Sequence, residues 1–563
     1  MKQMMDSGLV GRRVCALSLA AMLVGLMALQ PVAAQQAAPD AGQTLEQLRT
    51  PPSPPAATRD FRVELPPEGR VAPGGDQVVV NRVVLDGNTA FDSATLLAAV
   101  GEPEGEAFDL AGLQEIAFGL SDFYRANGYP FARAVIPPQT MAEGVLQVVV
   151  IEGRYGTLGI VDEDARRARQ AEGFLRLLEP GEVITARPLE RTTLLLEDLP
   201  GIRVLPVLRP GEVVGTGDLE FVIQAEPRFR GSLSADNHGN RYTGYERGQA
   251  ALTVDSPFRL GDQLTLNTMY TREKLALGSV GYSRPLGGGG LRGTASYTYT
   301  EYRLAREFDG LGRGDARITS LGLSYPLLRS QQSNVTLTLS AQYKDLFNDR
   351  LEGTLIEDYS SVALPLSVQF DRRDDALRGG VTYGNVSINP GRMRLSGDMR
   401  ETDALGTHGN FLSFNADLAR LQVLAPSLTV FGRVSGQWTT GNLDSSEGIS
   451  LGGAERVRAY PASEASGDRG GYGQLELRYT PGLVAPYLFV DAGRVEFDAR
   501  PLDAGADVET ARTLAGYGLG FRIQQGQGLN VNAAVARRMT GGESRADVRD
   551  REPLYWLNVG YRF

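Results

Sequence analysis

The stretch Leu451–Tyr460 reads Leu-Gly-Gly-Ala-Glu-Arg-Val-Arg-Ala-Tyr and is followed by Pro461. Further on, Phe489-Val490-Asp491-Ala492-Gly493 lies in a segment with the texture of a β-strand. The first stretch holds Arg458 and the second Asp491, a guanidinium and a carboxylate that could form an ion pair if the fold brought them together. A guanidinium keeps its charge at any accessible pH. Inside a narrow protein channel it needs a carboxylate that can accept through both oxygens of its fork. Such a pair binds and does not react. The usual reactive groups are sparse. The sole cysteine is Cys15 and the two histidines, His238 and His408, are far apart, so no disulfide framework, metal site or His-dependent triad is expected. There is no Gly-Lys-Ser/Thr phosphate loop and no Gly-x-Ser-x-Gly elbow. Asp371-Arg372-Arg373-Asp374-Asp375 reads as a solvated charge cluster at a strand end, Gly287–Gly290 as a turn, and Arg313-Gly314-Asp315 as a chance loop tripeptide. No catalytic residue, metal or cofactor is expected.

From about Arg228 the sequence alternates apolar and polar residues between Gly-, Asp- and Asn-rich turns. Val335, Leu337, Leu339, Ala341 and Tyr343 share one face, and Leu475, Leu477 and Tyr479 share another. A soluble sandwich would alternate too. The end of the chain separates the two: Tyr555, Leu557, Val559, Tyr561 and Phe563 fall on one face, and the chain stops on the aromatic ring, which suits a girdle residue at a membrane edge. The region divides into roughly 16 strands, an even number as such barrels require. Closure pairs every backbone group, which is what lets a sheet sit in lipid.

Ahead of this region, residues 1–34 read as an export signal. Arg12 and Arg13 precede an apolar run from Val14 to Leu29, and Pro31-Val32-Ala33-Ala34 ends in small residues. Gln35–Thr50 can form one short helix with Leu45 and Leu48 on one side, and Pro51-Pro52-Ser53-Pro54-Pro55 enforces an extended spacer; together they fill residues 35–75. Residues 76–153 predict a βααββ module. Its strands are Val78–Leu85, Phe131–Ile136 and Val145–Ile151, and its helices are Ser93–Val100 and Leu110–Asn127. In the second helix Leu113, Ile116, Ala117, Leu120 and Tyr124 share a face. Residues 154–227 repeat the plan, with helices at Ala165–Leu178 and Pro188–Leu199. The formal charge is −10 for the whole chain. It becomes −12 without residues 1–34, which carry Lys2, Arg12, Arg13 and Asp6 and leave 54 basic against 66 acidic residues. That balance argues against nucleic acid as a partner.

Several of these stretches resemble one family. Val457-Arg458-Ala459-Tyr460 is similar to the Val-Arg-Gly-Tyr/Phe tip of the long sixth loop in outer-membrane barrels of the BamA and two-partner-secretion lineage. Phe489-x-Asp491-x-Gly493 resembles the wall motif that receives it. Ala459 departs from the family's usual glycine. Gly87-Asn88-Thr89-x-Phe91, Tyr124-Arg125-x-x-Gly128-Tyr129-Pro130, Ile136-Pro137-Pro138-Gln139 and Ile151-Glu152-Gly153 occur in the order of a POTRA domain of the secretion-transporter type. Asp236-Asn237-x-Gly239-x-x-Tyr242-Thr243-Gly244 is similar to the opening of the first barrel strand. The resemblance is to the TpsB transporters of two-partner secretion (FhaC/ShlB-like) and covers nearly all the chain after the leader.

The resemblance implies two α+β POTRA domains in the periplasm, at 76–153 and 154–227, and an all-β transmembrane barrel of antiparallel strands at 228–563 in the outer membrane of a Gram-negative bacterium. It implies a loop folded into the lumen and locked by Arg458 to Asp491, with Tyr460, Phe489 and Gly493 completing the lock. An N-terminal helix would plug the pore. Tyr561 and Phe563 would be the assembly signal read by the barrel assembly machinery, and outer-membrane lipid would surround the wall. The main partner would be a secreted TpsA-type protein, an adhesin, haemolysin or contact-dependent toxin, exported without nucleotide. The expected point of capture is the sheet edge Ala132, Arg133, Ala134, Val135 and Ile136, where an extended substrate can add main-chain hydrogen bonds. The alternative is a BamA- or TamA-like factor that inserts other barrels; such proteins share the loop motif and usually carry three or more POTRA domains.

Overall fold

The computed structural model describes residues 40–47, 69–350, 355–501, 509–524, 526–547 and 549–563. The expected export signal, the Pro-rich spacer and Leu48 lie outside the described residues.

Residues 78–153 form a three-stranded sheet under two helices. Val145–Ile151 is central, parallel to Arg82–Asp86 and antiparallel to Arg133–Val135. Asp109 caps the longer helix, Leu110–Ala126, by accepting from the Gly112 amide at 2.8 Å, and Gly128 stops it at a φ of 91°. The apolar face read from the spacing is the one buried: Leu113, Ile116, Ala117, Leu120 and Tyr124 pack on Val83, Leu146, Val148 and Val150. Two expectations need correction. Val78–Leu85 is not one strand: Val78–Val79 pairs with Ala107–Phe108, and the chain turns at Val80-Asn81, whose amides bond Glu106 and Gly144, before entering the main sheet. Phe131–Ile136 supplies only Arg133–Val135 to the sheet, because the Ala132 amide is taken by the Tyr129 carbonyl.

Residues 154–225 repeat the topology, with Thr216–Ala225 central, Arg154–Val161 parallel to it and Ile202–Pro210 antiparallel. The helix expected at Ala165–Leu178 is α only over Ala165–Ala171. It tightens to 3₁₀ over Glu172–Leu177, where Gly173 weakens helix propensity and Phe174 turns into the core. The second helix, Ala186–Glu197, also faces the barrel. Asp198 receives Arg329 at 2.7 and 2.8 Å, and Arg191 donates to the Pro326 carbonyl at 2.8 Å. The four-glycine turn has a use here: a Cβ on Gly288 would stand 1.9 Å from the Gly173 carbonyl oxygen.

From Phe229 to Arg562 the strands close into an antiparallel barrel, the first strand (Phe229–Asp236) pairing with the last (Leu554–Arg562). Leu355–Ala363 and Leu366–Asp374 both lie between the same two neighbours and continue one another across Leu364-Pro365. Counted as one, they make a barrel of 16 strands. The alternation has the sense expected of a membrane wall. Leu339, Tyr343, Leu475, Leu477, Tyr479, Tyr555, Leu557, Tyr561 and Phe563 point outward and are exposed. The intervening positions line an interior crowded with Arg–Asp and Arg–Glu pairs. A soluble protein would leave that apolar band unpaired with anything; a bilayer solvates it. Arg313-Gly314-Asp315 lies inside the strand Gly312–Arg329 and not in a loop. Asp374 is held by both terminal nitrogens of Arg420 at 2.8 and 2.9 Å, a cross-strand pair and not a free cluster.

Candidate functional site

The segment between the strands Leu428–Thr439 and Arg469–Tyr479 does not stay outside. It folds back into the barrel, and Leu451, Val457, Ala459 and Tyr460 are buried against Tyr472, Tyr487, Phe489 and Leu514 of the wall. Arg458 reaches Asp491 through Nε at 2.8 Å and Nη2 at 2.7 Å, and its backbone amide adds a third bond to the same carboxylate at 3.1 Å. Arg458 is 4% exposed and Asp491 0%, so each charge depends on the other for what water would have supplied. Phe489 lies flat beneath the guanidinium, its ring centre 3.6 Å from Cζ. Gly493 leaves room that no side chain could share, since a Cβ there would fall 2.9 Å from both Leu451 and Tyr472.

The structure adds partners that sequence reasoning missed. Arg458 Nη1 donates to Glu476 at 2.5 Å, and Glu476 also receives Arg478 and Arg522. Trp556 of the last strand donates its indole N–H to the Arg458 carbonyl at 2.7 Å. Glu476 was visible only as a polar position of an alternating strand; nothing marked it as facing Arg458. The departure at Ala459 is accommodated by the wall. Its φ is not positive, so no glycine is needed for the backbone. Its methyl enters the gap left by Gly516, the direct cross-strand neighbour of Asp491, where a Cβ would lie 2.1 Å away.

Tyr460 extends the lock toward the last hairpin, donating its hydroxyl to the carbonyls of Thr540 and Gly542 at 2.8 and 3.0 Å. Glu464 does more of the same. It accepts from Arg512 at 2.5 Å, from the Ser544 hydroxyl and from the amides of Arg545 and Ala546.

The short N-terminal helix, Ala41–Gln47, lies inside the barrel. The Ala41 amide donates to Asn348, and Asp40 accepts from Ser445 at 2.8 Å. Gly42 permits the approach, because a Cβ there would be 2.1 Å from the Ser445 hydroxyl. At the other end Glu46 receives Arg456, two residues from Arg458, at 2.7 Å. The helix and the returning loop therefore share the lumen and touch one another.

At the expected capture edge, Arg133 is exposed, but the side chains of Ala132 and Ala134 are in the core. The Ala134 amide is taken by the Ser121 hydroxyl at 2.9 Å. An added strand must pair through this edge's carbonyls or displace those bonds. The POTRA-like motifs converge on Glu152, which accepts from the amides of Thr89 and Ala90 at 2.6 Å and from the Tyr124 hydroxyl at 3.0 Å. Burial alone would raise the Glu152 carboxyl; these donors hold it below its ordinary range. The Tyr124 hydroxyl is pushed up, by burial first and then by Glu152. At the seam, Phe563 and Gly231 exchange both backbone bonds, at 2.8 and 3.0 Å, and the Phe563 ring covers the glycine. Tyr561 stacks beside it.

The sequence profile of the haemolysin secretion/activation proteins ShlB/FhaC/HecB matches residues 215–523, more than half of the chain. The chain belongs to the ShlB/FhaC/HecB family. The ShlB-type POTRA domain matches residues 78–153. Among curated relatives, the heme/hemopexin transporter protein HuxB of Haemophilus influenzae is 24% identical over 466 residues, covering 81% of each chain. The outer membrane transporter CdiB of Dickeya dadantii is 27% identical over 384 residues, covering 66% of this chain and 67% of that one. Among solved structures, CdiB from Escherichia coli superposes with a TM-score of 0.66 at 19% identity, covering 89% of this chain and 93% of that one, which shows the shared fold. As a ShlB/FhaC/HecB protein, this chain is an outer-membrane secretion pore for a partner protein, with its POTRA units on the periplasmic side of the barrel.

Proposed function

We propose that this transporter exports one large partner polypeptide, in extended form and without nucleotide, and that Arg458–Asp491 holds the loop that shapes its path. The observation that supports this reading most directly is the lumen itself. A buried guanidinium bound by two carboxylates fixes the loop to the wall, and the same loop contacts the helix that occupies the pore. Capture is assigned to the edge Arg133–Val135 beside the helix Leu110–Ala126, where main-chain pairing tolerates many sequences. The helix Ala41–Gln47 then leaves, the substrate threads the polar interior, and folding outside prevents return. A stacked β-solenoid suits that last step because each coil stabilises the next. The relatives' names, a heme/hemopexin transporter and the haemolysin secretion/activation proteins, favour a secreted binding protein or toxin as the cargo.

The second reading, insertion of other barrels, draws only on the shared architecture. BamA from Haemophilus ducreyi superposes with a TM-score of 0.53 at 15% identity, whereas the family match is to secretion proteins. The deciding experiment compares the culture supernatant and the outer membrane of a strain with and without this chain. Loss of one large secreted protein, with other barrels at normal levels, is the expected result. A general fall in outer-membrane barrels with the supernatant unchanged would reverse the assignment.

A further inference from the structure

At the extracellular end of the wall, the hairpins joining Gln263–Thr271 to Ala276–Pro285 and Arg292–Arg303 to Gly312–Arg329 enclose a cavity of about 940 Å³. Its lining carries Arg272, Lys274, Arg303, Arg306 and Arg313 against the carboxylates of Glu273, Asp309 and Asp349, five cations to three anions. The chain as a whole has a formal charge of −10, so this surplus is local. Two of the acids are already engaged, Glu273 by Arg306 at 2.6 Å and Asp349 by Arg313 at 2.9 Å. Arg303 lies 3.8 Å from Glu301. Arg272 and Lys274 are exposed and reach no carboxylate among the described residues.

Strand register sets the depth of this cleft. Tyr297, Thr319 and Tyr343 lie side by side on the outer face, and Tyr297 and Tyr343 are exposed there. Arg303, Arg313 and Asp349 form the matching row further toward the extracellular end, on the same face. On the strand Gln263–Thr271 Tyr270 is exposed, and Arg272 follows in the turn just past the strand end. With strands rising about 3.4 Å per residue and tilted by about 40°, the cations stand roughly 5–15 Å above the ring of tyrosines. That height is the headgroup layer; strand alternation turns Arg303 and Arg313 outward there, and Arg272 and Lys274 are exposed on the neighbouring turn. Lys274 and Arg306 both hold left-handed backbone conformations, with φ of 66° and 63°, which side chains of this size rarely adopt. Exposed Ile356 adds an apolar wall.

We infer that this cleft binds the phosphorylated sugar headgroup of an outer-leaflet glycolipid. Arg272, Lys274 and Arg303 take the phosphate oxygens, since guanidinium forks match phosphate geometry and ammonium adds a mobile point charge. Arg306 and Arg313, kept in place by their acids, shape the floor. The lipid would tie the two hairpins to the leaflet without entering the lumen.

The full-length protein, purified in a neutral detergent, is tested by native mass spectrometry against three probes: bis-phosphorylated lipid A, the same lipid dephosphorylated, and inorganic phosphate. Wild type retains lipid A and binds the dephosphorylated form about tenfold more weakly. The combined Arg272→Glu, Lys274→Glu, Arg303→Glu variant loses affinity for lipid A by about the same factor. Arg209→Glu, on an exposed periplasmic hairpin, leaves it unchanged. Equal retention of both lipids by wild type would overturn the inference, and this comparison does not depend on the variant folding. Undiminished binding by the triple variant, or full displacement of lipid A by millimolar inorganic phosphate, would do the same, the latter showing a free-anion site.

Discussion

Arg456 of the returning loop donates to the carboxylate of Glu46, the last acidic residue of the lumenal helix, at 2.7 Å. Only Val457 separates this arginine from Arg458, which grips the wall. One loop tip therefore holds the helix with one guanidinium and the barrel with the next. Glu46→Arg or Arg456→Glu should loosen the helix and raise the open probability of the pore several-fold in planar lipid bilayers, and the double reversal should restore the closed behaviour. Identical currents from all four proteins would show that the contacts at Asp40 and Ala41 suffice.

Arg458→Ala leaves Asp491 and Glu476 buried without their shared cation, a loss of about 3–5 kcal/mol of local stability. The barrel's pairings do not run through that residue, so heat-modifiable gel migration should still report a closed barrel while export falls sharply. Asp491→Ala should behave alike. Arg458→Lys should rescue only in part, because an ammonium cannot span both carboxylates in the same plane. Normal export by both alanine variants would remove the loop from the mechanism.

Gly516→Ala should lower the unfolding temperature, since the new methyl meets Ala459 at 2.1 Å and overpacking of this kind costs about 1–3 kcal/mol. Ala459→Gly in the Gly516→Ala background should recover part of that loss, the remainder lying in the 2.9 Å approach to the Arg537 carbonyl. The readout is thermal unfolding in detergent. Recovery by Ala459→Gly is the decisive outcome, because a merely general sensitivity at Gly516 would not respond to it.

Glu152 gives the first periplasmic unit an acid sensitivity. Its folded carboxyl titrates below the ordinary value of 4.5, so its stabilisation is fully present above that value and is lost as pH falls through the folded one. Glu152→Gln should destabilise the unit by about 1–3 kcal/mol at pH 7, and the difference from wild type should shrink below pH 4. Urea unfolding followed by circular dichroism at several pH values measures it. A difference that stays constant down to pH 3 would place the donors' stabilisation elsewhere.

Removing Phe563 uncovers Gly231 and breaks two backbone bonds at the seam. The amount of assembled barrel in the membrane should fall several-fold, with Phe563→Tyr retaining most of it. Equal assembly after deletion would leave the ring a lipid-facing residue without a role in closure.

Much of this arrangement is legible in the chain. Alternation, with period two, states which face each strand presents, and an apolar face ending in Tyr561 and Phe563 belongs to lipid. The spacing of Leu113, Ile116, Leu120 and Tyr124 states a helix and its buried side, because both depend on neighbours within one or two turns. The pair Arg458 and Asp491 is legible through the resemblance of Val457–Tyr460 and Phe489–Gly493 to the family's loop tip and wall motif; among 57 basic and 67 acidic residues, charge alone singles out neither.

What only the tertiary structure decided is contact between residues distant in sequence. Glu476 joins Arg458 because its strand pairs with that of Asp491, setting it opposite Phe489, and Gly516 admits Ala459 because cross-strand register places it beside Asp491. The helix Ala41–Gln47 looks weak when read locally; its partners, Asn348, Ser445 and Arg456, come from three distant segments. A local pattern fixes which way a side chain faces. Which partner waits there is set by closure of the barrel, a property of the whole chain.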